Sequence, residues 1–178
     1  MNEFTVELVG NGKMPTYNNP NDACLDAYAC LEEGAELEVF CGRSQPDFAP
    51  DVDSEDKITY RTEVVQDGTI FLNANERVRI PLGIRVEIPV GWKLMICGRS
   101  GNNYRGRDIR MGTCDAGYTG MVSAVLVNPA NSKGSLVFNG EKICQLAFEI
   151  APKVKLVQGE IDRNTVRGES GFGSSGMK

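Results

Sequence analysis

The stretch ERVRIPLGIRVEIPVG, residues 76–91, alternates apolar residues with polar or turn-forming ones along its whole length. A two-residue period is typical of strands that bury one face, because successive side chains of a strand point to opposite sides of the sheet. Pro81, Gly83, Pro89 and Gly91 indicate bends or sheet edges within it. The positions predicted to face the core are Val78, Ile80, Leu82, Ile84, Val86, Ile88 and Val90.

Shorter apolar runs follow toward the C-terminus, each bounded by Gly, Asn or Pro. Strands this short and this regularly punctuated are typical of an all-β barrel or sandwich. A helix could be scored over residues 19–33, but Pro20 and the β-type segments that follow disfavour it. The later predicted strands are WKLMIC (92–97), MVSAVLV (121–127), SLVF (135–138), ICQLAFEI (143–150) and VKLV (154–157).

The chain has 178 residues, a length that fits one domain with an ordinary core. Its formal net charge of -5 argues against binding to nucleic acid or to an anionic membrane surface. No apolar stretch approaches the ~20 residues that cross a bilayer, and the first ten residues lack a secretory pattern. We therefore expect a cytoplasmic protein with no nucleic-acid or membrane partner.

Six scattered cysteines and a complete lack of histidine limit the possible chemistry. Without a secretory segment, free thiols are expected rather than a disulfide framework. No C-x-x-C pair is present, so a structural zinc site is not expected. Ser-His and Cys-His nucleophiles are excluded. An enzyme with this composition would have to use carboxylates, hydroxyls, guanidiniums or a metal ion.

Two segments stand apart from the strand pattern. Residues 41–75 begin with an acidic run and are predicted to be an insertion between early strands. The Gly- and Ser-rich residues 162–178 cannot bury enough apolar surface to fold alone. We expect one β domain over residues 1–161 and a flexible tail over 162–178 that becomes ordered on a ligand.

Three segments carry polar groups suited to phosphate chemistry. GTCDAGYTG (112–120) is predicted to form a hairpin with the following strand, and its Asp115 could activate a water or be an ordinary turn residue. Asp22 and Asp26 could hold Mg²⁺ or be simply solvated. RGESGFGSSG (167–176) offers a guanidinium, an aromatic ring and backbone N–H groups, or is only a flexible terminus.

The order of these segments along the chain resembles the five motifs of the homotrimeric dUTPase family. The matching stretches are DACLDAYA (22–29), GRSG (98–101), GTCDAGYTG (112–120) with Asn128 downstream, GEKICQL (140–146), and Arg167 followed by GFGSSG (171–176). The resemblance implies a jelly-roll-like distorted β-barrel of the dUTPase type. It also implies a homotrimer with active sites shared between chains, which hydrolyses dUTP to dUMP and pyrophosphate with Mg²⁺ on the triphosphate.

Roles follow from the same resemblance. The family's catalytic aspartate matches Asp115, which would activate the water that attacks the α-phosphorus, with Gln145 at the α-phosphate or the water. Tyr118 would pack under the deoxyribose and exclude a 2′-hydroxyl, and Asp26 would hold waters on the magnesium. Uracil would pair with the backbone of residues 109–114, Gly112 included. The other expected substrate contacts are Arg99, Ser100, Gly101, Arg167, Phe172, Gly173, Ser174 and Ser175.

The chain departs from the family pattern in its first and third motifs. Thr119 and Met121 replace the usual Arg and Glu after the tyrosine, so the resemblance implies that an interface or structural ion pair of the family is absent here. Cys24 and Ala27 replace the usual Gly and Leu. The tetrapeptide CGRS occurs twice, at 41–44 and 97–100, but only the second copy continues into Gly101. We therefore expect the first copy to be a coincidence at a strand end.

Two other functions remain as alternatives. A dCTP deaminase of the same fold would need a catalytic glutamate where this chain has Val125, which cannot carry a proton. A non-catalytic nucleotide-binding regulator would have no need for the water-activating carboxylate of Asp115.

Overall fold

The computed structural model describes residues 3–44, 57–129, 133–166 and 168. These residues form thirteen strands and one short helix. In chain order the elements are β1 (Val6–Leu8), β2 (Leu25–Tyr28), β3 (Glu36–Ser44), β4 (Lys57–Val64), β5 (Thr69–Leu72), β6 (Arg77–Pro81), β7 (Ile84–Val86), β8 (Trp92–Cys97), α1 (Ser100–Tyr104), β9 (Asp108–Arg110), β10 (Gly112–Asp115), β11 (Ser123–Val127), β12 (Ser135–Phe138) and β13 (Lys142–Ile150).

The strands form two main sheets and two small ribbons. One sheet has the order β10-β8-β13-β2 and the other β4-β3-β6-β11-β9, while β1 pairs with β7 and β12 with β5. One hydrophobic cluster contains inward-facing side chains from both sheets, including Leu94 and Leu146 of the first and Ile80 and Leu126 of the second. The predicted all-β, jelly-roll-like fold is confirmed, and the sheets of the described residues stay open rather than closing into a barrel.

The alternation of residues 76–91 decides which face of these strands is buried. Six of its seven predicted core positions are at most 4% exposed, whereas Val90 is 74% exposed. Val90 lies in the turn between β7 and β8, where Gly91 has a φ of +91° and the strand period no longer applies. At the bend between β6 and β7, Gly83 has a φ of +63°, and a Cβ there would lie 2.7 Å from the Cys30 sulfur.

All but one of the other predicted strands are present. Residues 154–157 form no strand and pair with no strand in the described part of the chain. Their apolar side chains Val154, Leu156 and Val157 are 76%, 91% and 78% exposed. The disfavoured helix at 19–33 is absent, and β2 lies there instead. No helix in the described residues is long and apolar enough to cross a membrane.

The stretch 41–75 belongs partly to the core. Val65, Ile70 and Leu72 within it are at most 1% exposed and lie in the main hydrophobic cluster. The first CGRS copy occupies the end of β3, as predicted for a strand end. All six cysteines are free, three of them buried and three partly exposed.

A charged network joins β4 to the start of β6. Arg61 pairs with Glu63 and, through Nη2 at 2.6 Å, with the 6% exposed Glu76. Asn73 donates its backbone N–H and its side-chain amide to the same Glu76 carboxylate at 2.8 and 3.0 Å. The Arg61 hydrogen bond lowers the pKa of Glu76 to about 2, although burial acts in the opposite direction.

Candidate active site

Three of the predicted site residues meet at the end of the four-stranded sheet. Gln145 of β13 lies opposite Asp26 of β2 and opposite Cys97 of β8. Directly paired residues of neighbouring strands carry their side chains on the same face. The Gln145 side-chain amide donates to Asp26 Oδ1 at 3.5 Å, and Arg99 Nε lies 3.1 Å from the same oxygen. The first, second and fourth motifs therefore form one cluster.

Asp26 is a buried anion surrounded by cations. Its side chain is only 4% exposed, so the idea of a simply solvated aspartate is wrong. Lys142 Nζ lies 2.9 Å from Oδ2, while Arg99 lies on Oδ1. Burial alone would raise the pKa of Asp26, but the Lys142 hydrogen bond and the Arg99 and Lys142 charges outweigh it and hold that pKa below its usual value. The carboxylate is therefore ionised at neutral pH.

Arg99 and the residues after it are held to the start of β13 and to the turn before it. Arg99 Nη1 donates to the carbonyl of Lys142 at 3.1 Å, and the buried Asn102 side chain donates to the carbonyl of Ile143 at 3.2 Å. Arg107 and Glu141 add an ion pair of 2.5 Å beside them. These contacts hold the loop that carries Arg99 against β13.

Ser100 and Gly101 lie on the outer side of this loop. Ser100 begins α1 and is exposed, as is Gly101. A Cβ built on Gly101 would find no atom within 4 Å, so the backbone there is open to an approaching group. An exposed hydroxyl and an open backbone beside a guanidinium are groups that suit a phosphate.

Asp115 and Tyr118 lie on a turn, but the predicted hairpin is wrong. Asp115 ends β10, which pairs with β8, whereas the strand after the turn is β11, which pairs with β6 and β9. The chain crosses between the sheets because Val122 is held to the β6–β7 bend, donating to Ile84 O at 2.9 Å and accepting from Leu82 N at 3.0 Å.

Two hydrogen bonds of Tyr118 stabilise the turn that carries Asp115 and Tyr118. Tyr118 donates its backbone N–H to the carbonyl of Asp115 at 3.1 Å, and its hydroxyl donates to the carbonyl of Met121 at 3.1 Å. The Asp115 side chain is exposed and makes no hydrogen bond to another described residue. Its carboxylate is therefore available to a water or a ligand.

Within one chain, Asp115 is remote from the Asp26 cluster. Asp115 lies opposite Lys93, and Gln145 lies opposite Cys97, so the two positions are separated by four residues of β8 and two strand spacings. At ~3.3 Å per residue and ~4.8 Å per strand, this corresponds to about 16 Å between Cα atoms. A single chain does not bring the two sets of residues together.

Some contacts were missed by the sequence reasoning, and some predictions cannot be placed. Lys142, Asn102 and Arg107 were not proposed; Lys142 lies in GEKICQL and could have been found as the cation nearest Gln145. Gly112 begins β10 and is half-buried. The tail residues Arg167, Phe172, Gly173, Ser174 and Ser175 lie outside the described residues.

The fold and the cluster define a jelly-roll-like β protein with a cationic loop suited to a phosphorylated ligand. A sequence profile of the family described as dUTPase matches residues 50–176. A deoxyuridine 5′-triphosphate nucleotidohydrolase of Hydrogenobaculum sp. (strain Y04AAS1) is 33% identical over 116 residues, 63% of this chain and 79% of the relative. The enzyme of the same name from Paramecium bursaria Chlorella virus 1 is 33% identical over 127 residues, 70% of this chain and 86% of the relative.

Solved structures agree on the fold. The Staphylococcus bacteriophage 80alpha dUTPase with dUpNHpp superposes with a TM-score of 0.72 at 22% identity, covering 99% of this chain and 100% of that one. The chain belongs to the dUTPase family. The profile match begins after the first motif, so the assignment of Asp26 depends on its contacts with Arg99 and Gln145.

Proposed function

We propose that this protein is a dUTP diphosphatase, which hydrolyses dUTP to dUMP and pyrophosphate. Membership of the dUTPase family and relatives named deoxyuridine 5′-triphosphate nucleotidohydrolases support this activity. The observation that carries the proposal is the convergence of Asp26, Arg99 and Gln145 from three separate motifs on one cluster. A structural neighbour that holds dUpNHpp supports a deoxyuridine triphosphate as the substrate class.

In this proposal the Arg99 loop binds the phosphates of the leaving group. Ser100 and the Gly101 backbone provide neutral donors, and Arg99 provides charge next to them. Gln145 contacts the α-phosphate or the attacking water with its side-chain amide. Phosphoryl transfer depends chiefly on positioning and on neutralising charge, so a chain without histidine is adequate for it.

Asp115 acts as the general base, and it serves the cluster of a neighbouring chain. A base must come within hydrogen-bond reach of the water, directly or through one further water. The separation of about 16 Å between Asp115 and Gln145 in one chain is too long for this, as judged from strand geometry. A homotrimer whose sites combine residues of different chains brings the two groups together, and we propose that assembly.

Mg²⁺ fits this site as an ion held through water. The described residues contain no group of three or more His, Cys, Asp or Glu side chains that could hold a metal. Magnesium usually keeps several waters and binds one or two carboxylates together with substrate phosphates. Both Asp26 oxygens already accept from Arg99, Gln145 or Lys142, so Asp26 would contact only the waters of an ion that the substrate phosphates hold. The ion would neutralise charge on the triphosphate when bound. Asp26 would orient its waters.

The tail completes the proposal. Arg167, Ser174 and Ser175 would contact the terminal phosphates, Gly173 would supply backbone, and Phe172 would stack on the uracil. Tyr118 would pack under the deoxyribose, and the backbone around Gly112 would pair with the base. We also propose a cytoplasmic location, which the six free cysteines support because reducing compartments keep thiols free.

Pyrophosphate release from dUTP with Mg²⁺ tests the activity. The parent protein should hydrolyse dUTP, and Asp115→Asn should lower kcat by a factor of about 100 or more, as expected for loss of a general base. Asp67→Asn is the matched control, because Asp67 is exposed, lies in another turn and has a positive φ that Asn tolerates. No hydrolysis of dUTP would refute the proposal, and ammonia release from dCTP would favour the deaminase instead.

A further inference from the structure

The ring of Tyr118 lies against the backbone of its own turn, at a position where only glycine leaves room for it. A Cβ built on Gly120 would lie 2.6 Å from Tyr118 Cζ and 2.9 Å from Cε2, distances that real Cβ atoms do not show. The hydroxyl of the same ring donates to the carbonyl of Met121. Close packing on residue 120 and a hydrogen bond to residue 121 together give the ring one orientation.

We propose that Gly120 is a positioning residue that sets the orientation of Tyr118 and thereby the preference for a deoxyribose over a ribose. The inference rests on the proposed function, in which Tyr118 contacts the sugar. A Tyr118 ring displaced from residue 120 would no longer fill the space that a 2′-hydroxyl requires. The Met121 contact uses only a backbone carbonyl, so it does not depend on which side chain stands at 121.

Space around the ring makes its displacement possible without unfolding the chain. Within one chain, Tyr118 is 46% exposed and borders two cavities, of about 570 Å³ beside Arg85 and Pro89 and about 720 Å³ beside Glu36 and Arg79. An added methyl group on residue 120 can therefore push the ring outward into open volume. A change in selectivity with little loss of stability is the expected signature.

Gly120→Ala tests the inference, with Gly159→Ala as the matched control, because a Cβ on Gly159 meets no atom within 4 Å. In 3-fluorotyrosine-labelled protein, the ¹⁹F resonance of Tyr118, assigned with Tyr118→Phe, should move in Gly120→Ala and stay in place in Gly159→Ala. The ratio of kcat/KM for dUTP to that for UTP should fall about tenfold in Gly120→Ala, a change of ~1.4 kcal/mol.

The two readouts separate the possible failures. An unmoved Tyr118 resonance in Gly120→Ala would refute the positioning role, whatever the activity. A moved resonance with an unchanged dUTP/UTP ratio would refute the role in selectivity. A parent that does not hydrolyse dUTP would refute the proposed function, and the selectivity role with it. Tyr118→Phe, which loses only the Met121 hydrogen bond, should lower the ratio less than Gly120→Ala.

Discussion

The ammonium group of Lys142 lies 2.9 Å from Oδ2 of Asp26, so a cation of the fourth motif neutralises the carboxylate of the first. Arg99 of the second motif holds the other oxygen at 3.1 Å. Burial opposes the charge on Asp26, and the two cations more than offset it. Removing one cation should therefore change the titration of Asp26 in a known direction.

Lys142→Gln should raise the pKa of Asp26, because burial then acts against fewer positive charges. Asp26 would become protonated at a higher pH, and the acidic limb of kcat/KM for dUTP should shift upward. Ionised Asp26 stabilises the folded chain fully above the ordinary carboxyl pKa of 3.8. This stabilisation is lost as pH falls through the lowered pKa that Asp26 has in the folded chain. In Lys142→Gln that loss should begin at a higher pH.

The measurement is kcat/KM from pH 3 to 8 in the parent, in Lys142→Gln and in Lys133→Gln, because the pKa of Asp26 in the parent is lowered from the ordinary value of 3.8. Lys133 is exposed, and the structure gives its side chain no partner among the described residues, so it controls for the loss of one positive charge. Superimposable acidic limbs in the parent and Lys142→Gln would show that Lys142 does not control this carboxylate.

The sequence motifs identified only part of the Asp26 cluster. The order of the motifs along the chain singled out Asp26, Arg99 and Gln145, because each lies in a recognisable stretch, and the structure places these three side chains in contact. Lys142 was overlooked since a lysine at the start of a strand usually faces solvent. The separation of Asp115 from Gln145 depends on strand order and register, which come from long-range pairing and leave no mark in a single short stretch.

Mixing two inactive variants tests whether sites are shared. Asp115→Asn and Gln145→Ala should each be inactive alone. If each site takes Asp115 from one chain and Gln145 from another, a trimer reassembled from equal amounts of both has roughly a quarter of its sites with both native residues. Dissociating and reassembling the mixture should therefore restore roughly a quarter of the parent activity, by the same count.

The control for this experiment is the mixture kept below the dissociating condition, where chains do not exchange. Native mass spectrometry of the reassembled protein, with one variant labelled with ¹⁵N, reports whether mixed trimers have formed. If reassembly restores no activity although mixed trimers have formed, both residues belong to a site within one chain. The shared-site proposal would then be wrong.

Truncation after Asp162 should separate the fold from the activity. Among the described residues the core contains none beyond β13, so circular dichroism and the melting temperature should change little. Loss of Arg167 and Phe172 removes a guanidinium and a stacking ring, and kcat should fall by a factor of about 100 or more. Deletion of Met177 and Lys178 alone serves as the control. Full activity after truncation at Asp162 would end the proposed role of the tail.

The fold was easier to predict where the chain carries a clean alternation. Residues 78–88 pack as predicted because both the apolar period and the turn residues agree. For β3 the sequence predicted only the strand end at the first CGRS copy, and β4 was not predicted. The two strands carry Glu36, Glu38 and Thr62 on one face, which dilutes the apolar signal. Residues 154–157, which were predicted as a strand, have strand-like side chains but no pairing partner within the described chain. An apolar period in the sequence does not show whether a neighbouring strand is available for pairing.

The ion pair between Arg61 and Glu76 should make the free energy of unfolding depend on pH in the acid range. Glu76 has its pKa lowered to about 2, chiefly by Arg61, from the ordinary value of 4.5. Its stabilising contribution is therefore complete above pH 4.5 and is lost as pH falls toward 2, on the order of 3 kcal/mol in all. Glu76→Gln should remove this dependence, and the variant should also be less stable at pH 7.

Urea unfolding at several pH values between 2.5 and 7 measures the effect in the parent and in Glu76→Gln. Glu7→Gln is the matched control, because Glu7 pairs with Arg85 but its side chain is 61% exposed, and exposed ion pairs contribute little. The difference in unfolding free energy between the parent and Glu76→Gln should shrink as pH falls toward 2. A difference that stays constant over this range would mean that Glu76 acts through packing and its Asn73 hydrogen bonds rather than through its charge.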